Sequence, residues 1–400
     1  MKIGILREGK QPADKRVPLS PRQCKTLLNM YPKLSIEVQS SVERCFSDEE
    51  YIDNGITVKA DISSCDLFLG VKEVLVDDLL PEKSYMFFSH TIKKQPQNSL
   101  LLKTVLDRNI RLIDIELLQD SNGARLIGFG RYAGLVGAYN AFATYGLRHQ
   151  LYQLKPVEQC EDKLEMLREV KKVKLPNVKL LLTGTGRVAN GVLEVLEELA
   201  IRRLSINDYL NNTYDEPCYV QLSSGDYNVN KKGLKFDIQH FFKNPTEYKG
   251  SFKRFYPMTN LLISAAYWDP NAPVLFSLND MQQADFNIEV VADITCDING
   301  SIPSTIRATK LDDMNYDYNP TTGMEEPAFS NKKNITVMAV DNLPSGLPKD
   351  ASREFGNHLN NRVLDFIIKG DRERVIERAT IAEGGQLKER FKYLQDYANS

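Results

Sequence analysis

The sequence has only four histidines, one tryptophan, and six cysteines (Cys24, Cys45, Cys65, Cys160, Cys218, Cys296) without a C-x-x-C pair. Such sparse, scattered ligands argue against a zinc site and against a disulfide framework. No metal is expected, and the cysteines read as reduced core thiols of a cytoplasmic protein. An excess of either charge is also missing: 51 Lys+Arg stand against 53 Asp+Glu, a formal charge of -2. That balance gives no field to attract nucleic acid or an anionic membrane surface. No long hydrophobic run is present. The most apolar-looking stretch, 126–147, contains Arg131 and is rich in Gly, a poor membrane span. Met1-Lys2 leads straight into Ile3-Gly4-Ile5-Leu6, which reads as a strand and not as a signal peptide. Short-period repeats and low-complexity tracts are absent as well.

What remains is an ordinary globular composition. Over 400 residues, 42% are apolar and 26% charged. Such a chain buries a large core and divides on a length prior into about two domains. Strand and helix signals alternate through the first third. Strands are expected at 2–6, 35–39, 67–71, 85–89 and 110–113, with helices at 20–28, 48–52 and 99–108. Ser20-Pro21 supplies a helix cap followed by proline at the first helical position. A long helix follows at 130–151 and a charged, solvated one at 155–176. The rhythm then resumes with strands at 178–183, 203–207, 261–266, 288–294 and 335–340 and a helix at 187–199. Residues 211–232 read as a polar surface excursion, and the tail (351–368 and 371–397) as helical. Alternation of this kind implies parallel sheets covered on both faces. The expected fold class is α/β, with two Rossmann-like doubly wound domains.

The clearest motif is Leu180-Leu181-Leu182-Thr183-Gly184-Thr185-Gly186-Arg187-Val188-Ala189, a G-x-G-x-x-A run between a strand and a helix. Gly184 permits the tight turn, Gly186 lets the backbone approach a pyrophosphate, and Ala189 keeps helix and sheet close. The helix N-terminus adds N–H donors and a positive dipole end. Thr185, Arg187 and Val188 complete the expected contacts. Asp208 closes the strand expected next, where an acid takes the adenosine ribose hydroxyls and disfavours a 2′-phosphate. On that argument the cofactor is NAD, with NADP as the alternative. Tyr267, at the end of another strand, reads equally as a cofactor contact or as a packed aromatic.

Ionisable residues gather at ends of strands in the first third. Gly70-Val71-Lys72-Glu73 closes one, and Phe87-Phe88-Ser89-His90-Thr91-Ile92-Lys93 closes the next. Ligands in such sheets bind at the carboxyl ends of strands. Lys72 and His90 have the chemistry of an acid–base pair around an imine or carbonyl. From spacing alone, Lys72-Glu73 is more often a surface ion pair and His90 more often a capping or structural histidine.

These residues resemble a known family. Arg7-Glu8 with Asp14-Lys15-Arg16-Val17-Pro18-Leu19-Ser20-Pro21 looks like the opening of the alanine dehydrogenase and saccharopine dehydrogenase superfamily. The Lys72 and His90 segments, Arg111-Leu112-Ile113-Asp114 and Ala133-Gly134-Leu135-Val136-Gly137 look most like the lysine–2-oxoglutarate reductase half of a bifunctional lysine-degrading enzyme. Val291-Ala292-Asp293-Ile294-Thr295-Cys296-Asp297 and Asp341-Asn342-Leu343-Pro344-Ser345-Gly346-Leu347-Pro348 fit the same pattern. The likeness covers nearly the whole chain and is weakest over 211–249.

The resemblance implies interconversion of saccharopine with L-lysine and 2-oxoglutarate, with hydride moving to or from a nicotinamide. It implies Lys72 and His90 as the acid–base pair. Arg16 and Arg125 would hold substrate carboxylates. Glu73 and Glu116 would tune the pair and receive the substrate amine, and Asp297 would lie near the nicotinamide. It further implies a substrate domain of residues 1–131 plus 345–400, a dinucleotide-binding domain of 132–344, and an interdomain cleft. The reductase half it resembles uses NADP, against the argument from Asp208, and the charge argument is followed here. Two rival readings are an L-alanine dehydrogenase and a non-catalytic nucleotide-binding regulator. The Phe87–Lys93 run favours the saccharopine side over the first, and the presence of both Lys72 and His90 speaks against the second.

Overall fold

The structure is a computed structural model and describes residues 1–9 and 13–399. The chain divides into two compact units, residues 1–129 with 348–400, and 130–347. Among the described residues no helix is long and apolar enough to cross a membrane.

The first unit is built on one eight-stranded sheet. Its parallel strands are β1 (Lys2–Ile5), β2 (Ser35–Gln39), β3 (Thr57–Lys59), β4 (Leu67–Leu69), β5 (Ser84–Phe87) and β6 (Arg111–Asp114). They lie in the order β6-β5-β4-β1-β2-β3. The central strands are apolar and buried on both faces, as Leu67, Phe68 and Leu69 show. Helices α1 (Pro21–Met30), α2 (Asp48–Asp53) and α3 (Ser99–Asp107) accompany them. At the start of α1, the Ser20 backbone N–H and hydroxyl both donate to the Gln23 side chain.

The tail departs from its sequence reading. A helix does cover Pro348–Arg362, but beyond 379 the chain forms two short strands, Thr380–Glu383 and Gln386–Leu387. The first pairs antiparallel with β6 and extends the sheet. Ile381 and Ala382 are fully buried there, which fixes that stretch as strand whatever its charged neighbours suggest.

The second unit carries its own eight-stranded sheet. The long helix α4 (Gly130–His149) is buried over most of its length. The charged stretch after it forms only one short helix, α5 (Lys163–Val170), where Met166 and Val170 supply a buried stripe. Next come β7 (Lys179–Thr183), α6 (Arg187–Glu198), β8 (Arg202–Arg203), α7 (Ile206–Asn211) and β9 (Cys218–Leu222). After β9 the chain forms α8 (Ser224–Tyr227), then β10 (Asn228–Asn230), α9 (Ile238–Lys243) and β11 (Tyr248–Gly250), with β10 and β11 paired as a separate antiparallel ribbon. Strands β12 (Leu261–Ser264), β13 (Val290–Asp293), β14 (Asn315–Asn319), β15 (Met324–Glu326) and β16 (Ile335–Met338) complete it. The order is β15-β14-β16-β13-β12-β7-β9-β8.

Two corrections follow for the stretch after α6. The strand expected at 203–207 is only two residues long and lies at the sheet edge. The "surface excursion" contains β9, a buried strand that pairs directly with β7. Elsewhere α4 and α6 cross with almost no gap. A Cβ on Gly134 would stand 1.9 Å from the Val188 carbonyl oxygen, and one on Gly191 would stand 2.0 Å from that of Arg131. Small residues are what let two helical backbones come this close.

Candidate functional site

In the first unit the strand order reverses at β1, whose neighbours are β4 and β2. A doubly wound sheet binds ligands at the carboxyl ends of strands beside such a switch point. The segments that follow β1, β4, β5 and β6 carry Glu8, Lys72 with Glu73, His90, and Glu116. The strand-end residues read from the sequence therefore belong to one edge of one sheet.

His90 is held in a left-handed backbone conformation, φ 52°, which non-glycine residues adopt at a cost. Its surroundings over-determine it. Nδ1 lies 2.6 Å from Glu73 Oε1, and the ring stacks at 6.3 Å on Phe88. Buried Asn98 donates to both Glu73 and the Ser89 carbonyl. A hydrogen on Nδ1 donates to the buried Glu73 carboxylate, the tautomer that leaves Nε2 as the proton acceptor. Glu73 thus orients the imidazole, and its neighbour Lys72 belongs to the same loop.

Behind this loop stands Asp114, fully buried at the end of β6. It accepts from the Ser89 hydroxyl, from Ser89 N at 3.3 Å and from Glu116 N at 2.7 Å. Desolvation outweighs those bonds and pushes its pKa up to about 6. Glu116 behaves in the opposite way. Burial alone would raise it, but Lys93 at 3.2 Å and Arg125 at 2.9 Å hold it below the usual carboxylate range. Its second oxygen, Oε2, is buried without a hydrogen-bond partner among the described residues. A buried ionised acceptor in that state suits an incoming N–H donor.

Arg16 is buried and bidentate on Asp14, at 2.9 and 2.6 Å, with its guanidinium 4.2 Å from the centre of the Phe129 ring. Arg125 is half-exposed and reaches Glu116. The sequence reading passed over Lys93, Asn98, Asp114 and Glu8. Lys93, Asp114 and Glu8 lie in the quoted segments, which is the signal that locates them; Asn98, just before α3, has no such signal.

In the second unit the glycine turn follows β7. Gly184 has φ 97°, and a Cβ there would lie 2.8 Å from the Ala265 carbonyl oxygen beyond β12. Strand β9 locks the turn from the other side: Gly184 N donates to Leu222 O at 2.8 Å, and Gln221 donates to Gly184 O at 2.9 Å. Thr185, Gly186 and Arg187 are exposed, Val188 is half-buried and Ala189 is buried. Space over Gly186 is open, with nothing within 4 Å of an added Cβ. An open glycine turn at the N-terminus of the 12-residue α6 fits the pyrophosphate of a dinucleotide. Tyr267 is 74% exposed, on the segment that passes the turn. Asp297 is exposed beyond β13.

Asp208 is elsewhere. It stands in the first turn of α7 and bonds Ser205 and Asn212. Helix α7 is docked at the amino end of the sheet. Lys179, the first residue of β7, donates to the carbonyls of Tyr209 and Asn212, and the Tyr209 hydroxyl meets Thr259 just before β12. The glycine turn is at the carboxyl end. The strand beside β7 is β9, and it is followed by Ser223 and Ser224. The nearby Asp226 carboxylate turns back to accept from Ser223 N and Oγ, both at 2.7 Å. The 24-residue spacing from Gly184 to Asp208 counts the same as a ribose acid's, but the chain spends it on a stub of edge strand and a helix.

The chain thus carries two such sheets, one with a glycine turn and one with a lysine–histidine–carboxylate edge. Residues 4–136 match the alanine dehydrogenase/PNT N-terminal domain. An L-alanine dehydrogenase structure has the same fold, with TM-score 0.64 and 15% identity, covering 99% of both chains. Alpha-aminoadipic semialdehyde synthase of Arabidopsis thaliana is 29% identical over 98% of this chain and 41% of its own length. Saccharopine dehydrogenase [NAD(+), L-lysine-forming] of Emericella nidulans is 24% identical over 90% of this chain and 91% of its own. The chain is thus similar to semialdehyde synthases and saccharopine dehydrogenases over most of its length. It spans less than half the length of the semialdehyde synthases it matches, of which the Bos taurus relative is described as mitochondrial.

Proposed function

We propose that this protein interconverts saccharopine with L-lysine and 2-oxoglutarate as a nicotinamide-dependent oxidoreductase. The observation that carries the reading is the edge formed after β4, β5 and β6. It combines an imidazole oriented by a buried carboxylate, a lysine on the adjoining loop, and an ionised Glu116 with one oxygen still to be satisfied. Glu116 Oε2 receives the substrate amine. His90, with Nδ1 fixed on Glu73, moves a proton at Nε2, and Lys72 serves as its partner in acid–base work on the imine and the water that adds to it. Arg16 and Arg125 hold carboxylates of the tricarboxylate substrate, for which bidentate guanidinium groups are suited. A nicotinamide dinucleotide, when bound, would supply the acceptor or donor of the hydride.

Gly184, Thr185, Gly186, Arg187 and Val188 would hold the pyrophosphate, with Tyr267 and Asp297 at the rim. With Asp208 at the far end of the sheet, its carboxylate gives no charge argument for NAD; the acid beside the end of β9 is Asp226, bonded to Ser223. Ser223 and Ser224 stand where the ribose acid of an NAD site stands, and hydroxyls accommodate a phosphate. We infer that the choice between NAD(H) and NADP(H) is set at Ser223, Ser224 and Asp226 and not at Asp208. Asp208→Ala then leaves the ratio of the two cofactors unchanged, whereas Ser223→Asp lowers it against NADPH. A shift with Asp208→Ala contradicts this assignment.

The test of the main reading follows nicotinamide absorbance with saccharopine, with alanine, and with 2-oxoglutarate plus a panel of amines. Turnover with saccharopine, and with lysine plus 2-oxoglutarate, is expected. His90→Ala and Lys72→Met each lower it by about 10²–10⁴-fold. Preference for alanine supports the superfamily's simpler chemistry instead, and tight NADH binding without turnover on any amine supports a regulator.

A further inference from the structure

We propose that Glu8 is the positioning residue for Lys72, fixing the backbone from which that side chain departs; the proposal rests on the acid–base reading of Lys72. Ladder pairing between β1 and β4 ends with Leu6 N donating to Leu69 O. Beyond it, Gly70 N donates to Met86 O and Val71 O accepts from Phe88 N, so the loop is tied on its β5 side. The next two donors, Val71 N and Lys72 N, both go to one carboxylate on the β1 side. Glu8 Oε1 accepts the first at 2.7 Å and Oε2 the second at 2.8 Å. Two charge-assisted bonds from successive amides leave the loop little freedom. They fall at the switch point of the sheet, where a small displacement of Lys72 is felt most directly by bound substrate.

Glu8 faces Asp14, which disfavours its ionised form, and Arg16, which favours it. Arg7, Lys72, Glu73 and Asp78 line the same small pocket. Desolvation outweighs the two backbone bonds and pushes its pKa up to about 7, so near neutrality the clamp is held by a carboxylate on the verge of taking up a proton.

The test is Glu8→Gln, whose side chain has one acceptor and an NH₂ that cannot accept. Three readouts are taken on the full chain. Amide exchange at Val71 and Lys72 should quicken by about tenfold relative to β1. Acylation of Lys72 by acetic anhydride, read by peptide mass spectrometry, should change by a similar factor, with exposed Lys392 unchanged as control. Saccharopine turnover should fall on the order of 10²-fold, the cost of a misplaced reacting group, with the KM for the dinucleotide unaltered. Faster exchange with unchanged Lys72 acylation overturns the proposal and leaves Glu8 a structural tie alone. Absence of turnover in the wild-type protein defeats the proposed reaction, while exchange and acylation still decide the role of Glu8. Should the variant fail to fold, the wild-type protein carries the test. Protection at Val71 and Lys72 relative to β1 should drop, and Lys72 acylation relative to Lys392 should change, as pH falls from about 8 to about 6. Ratios that stay constant refute it.

Discussion

Asp114 gives the sharpest quantitative test of how the edge of the first unit is built. Its carboxyl is fully buried, and burial lifts its pKa from 3.8 to about 6 in the folded protein. In the unfolded chain it titrates at its ordinary value. Between those values the folded state binds more protons, so stability declines as pH rises through the window. Below about pH 4 both states are protonated and the effect vanishes; above about pH 6 it is complete. A displacement of about two pH units, at 1.36 kcal/mol per unit, amounts to about 3 kcal/mol. Asp114→Asn keeps an acceptor for Glu116 N and can donate to the Ser89 hydroxyl, but has no charge to desolvate. Urea unfolding of both proteins from about pH 4 to about pH 7.5 should therefore show the wild type losing about 3 kcal/mol relative to the variant. Parallel curves would show that the buried carboxyl is solvated, or neutralised by another group, and would refute the reasoning.

Other substitutions separate the two units. Gly184→Ala places a Cβ 2.8 Å from the Ala265 carbonyl at φ 97°. A strain of about 1–3 kcal/mol should appear as weaker NADH and NADPH binding by calorimetry, with saccharopine binding unaffected. Gly134→Ala forces α4 and α6 apart, because its Cβ meets backbone at 1.9 Å, and should lower the unfolding free energy by at least about 1–3 kcal/mol in urea. Glu116→Gln removes the ionised acceptor and leaves Lys93 and Arg125 without their carboxylate. The KM for lysine should rise at least tenfold while that for the dinucleotide stays constant; equal changes in both would remove Glu116 from amine recognition.

The apolar runs that make the central strands were plain in the sequence because Leu67–Leu69, Leu180–Leu182 and Leu261–Ile263 are buried on both faces. So were Lys72, Glu73 and His90, since each follows such a run directly. Strand β9 was hidden: Cys218–Leu222 is short and flanked by Asp215-Glu216-Pro217 and Ser223-Ser224. Its burial comes from neighbours far away in the chain, which local pattern does not carry. The misplacement of Asp208 has the same origin. Spacing counts residues, but sheet order decides where they arrive, and here the chain passes to the edge before returning beside β7. Glu8 and Asp114 escaped because a lone acid at or past a strand end looks like a turn residue until the amides it binds are seen.

The return of the tail to β6 bears on how the molecule is made. Residues 130–347 form a continuous stretch, so that unit can complete its sheet as soon as it leaves the ribosome. The other unit must wait, its β6 rim bare of partners, until residues 380–383 emerge and seal it. Synthesis halted before that point would leave an unprotected strand, and with it a template for aggregation, in a protein whose other unit was already finished.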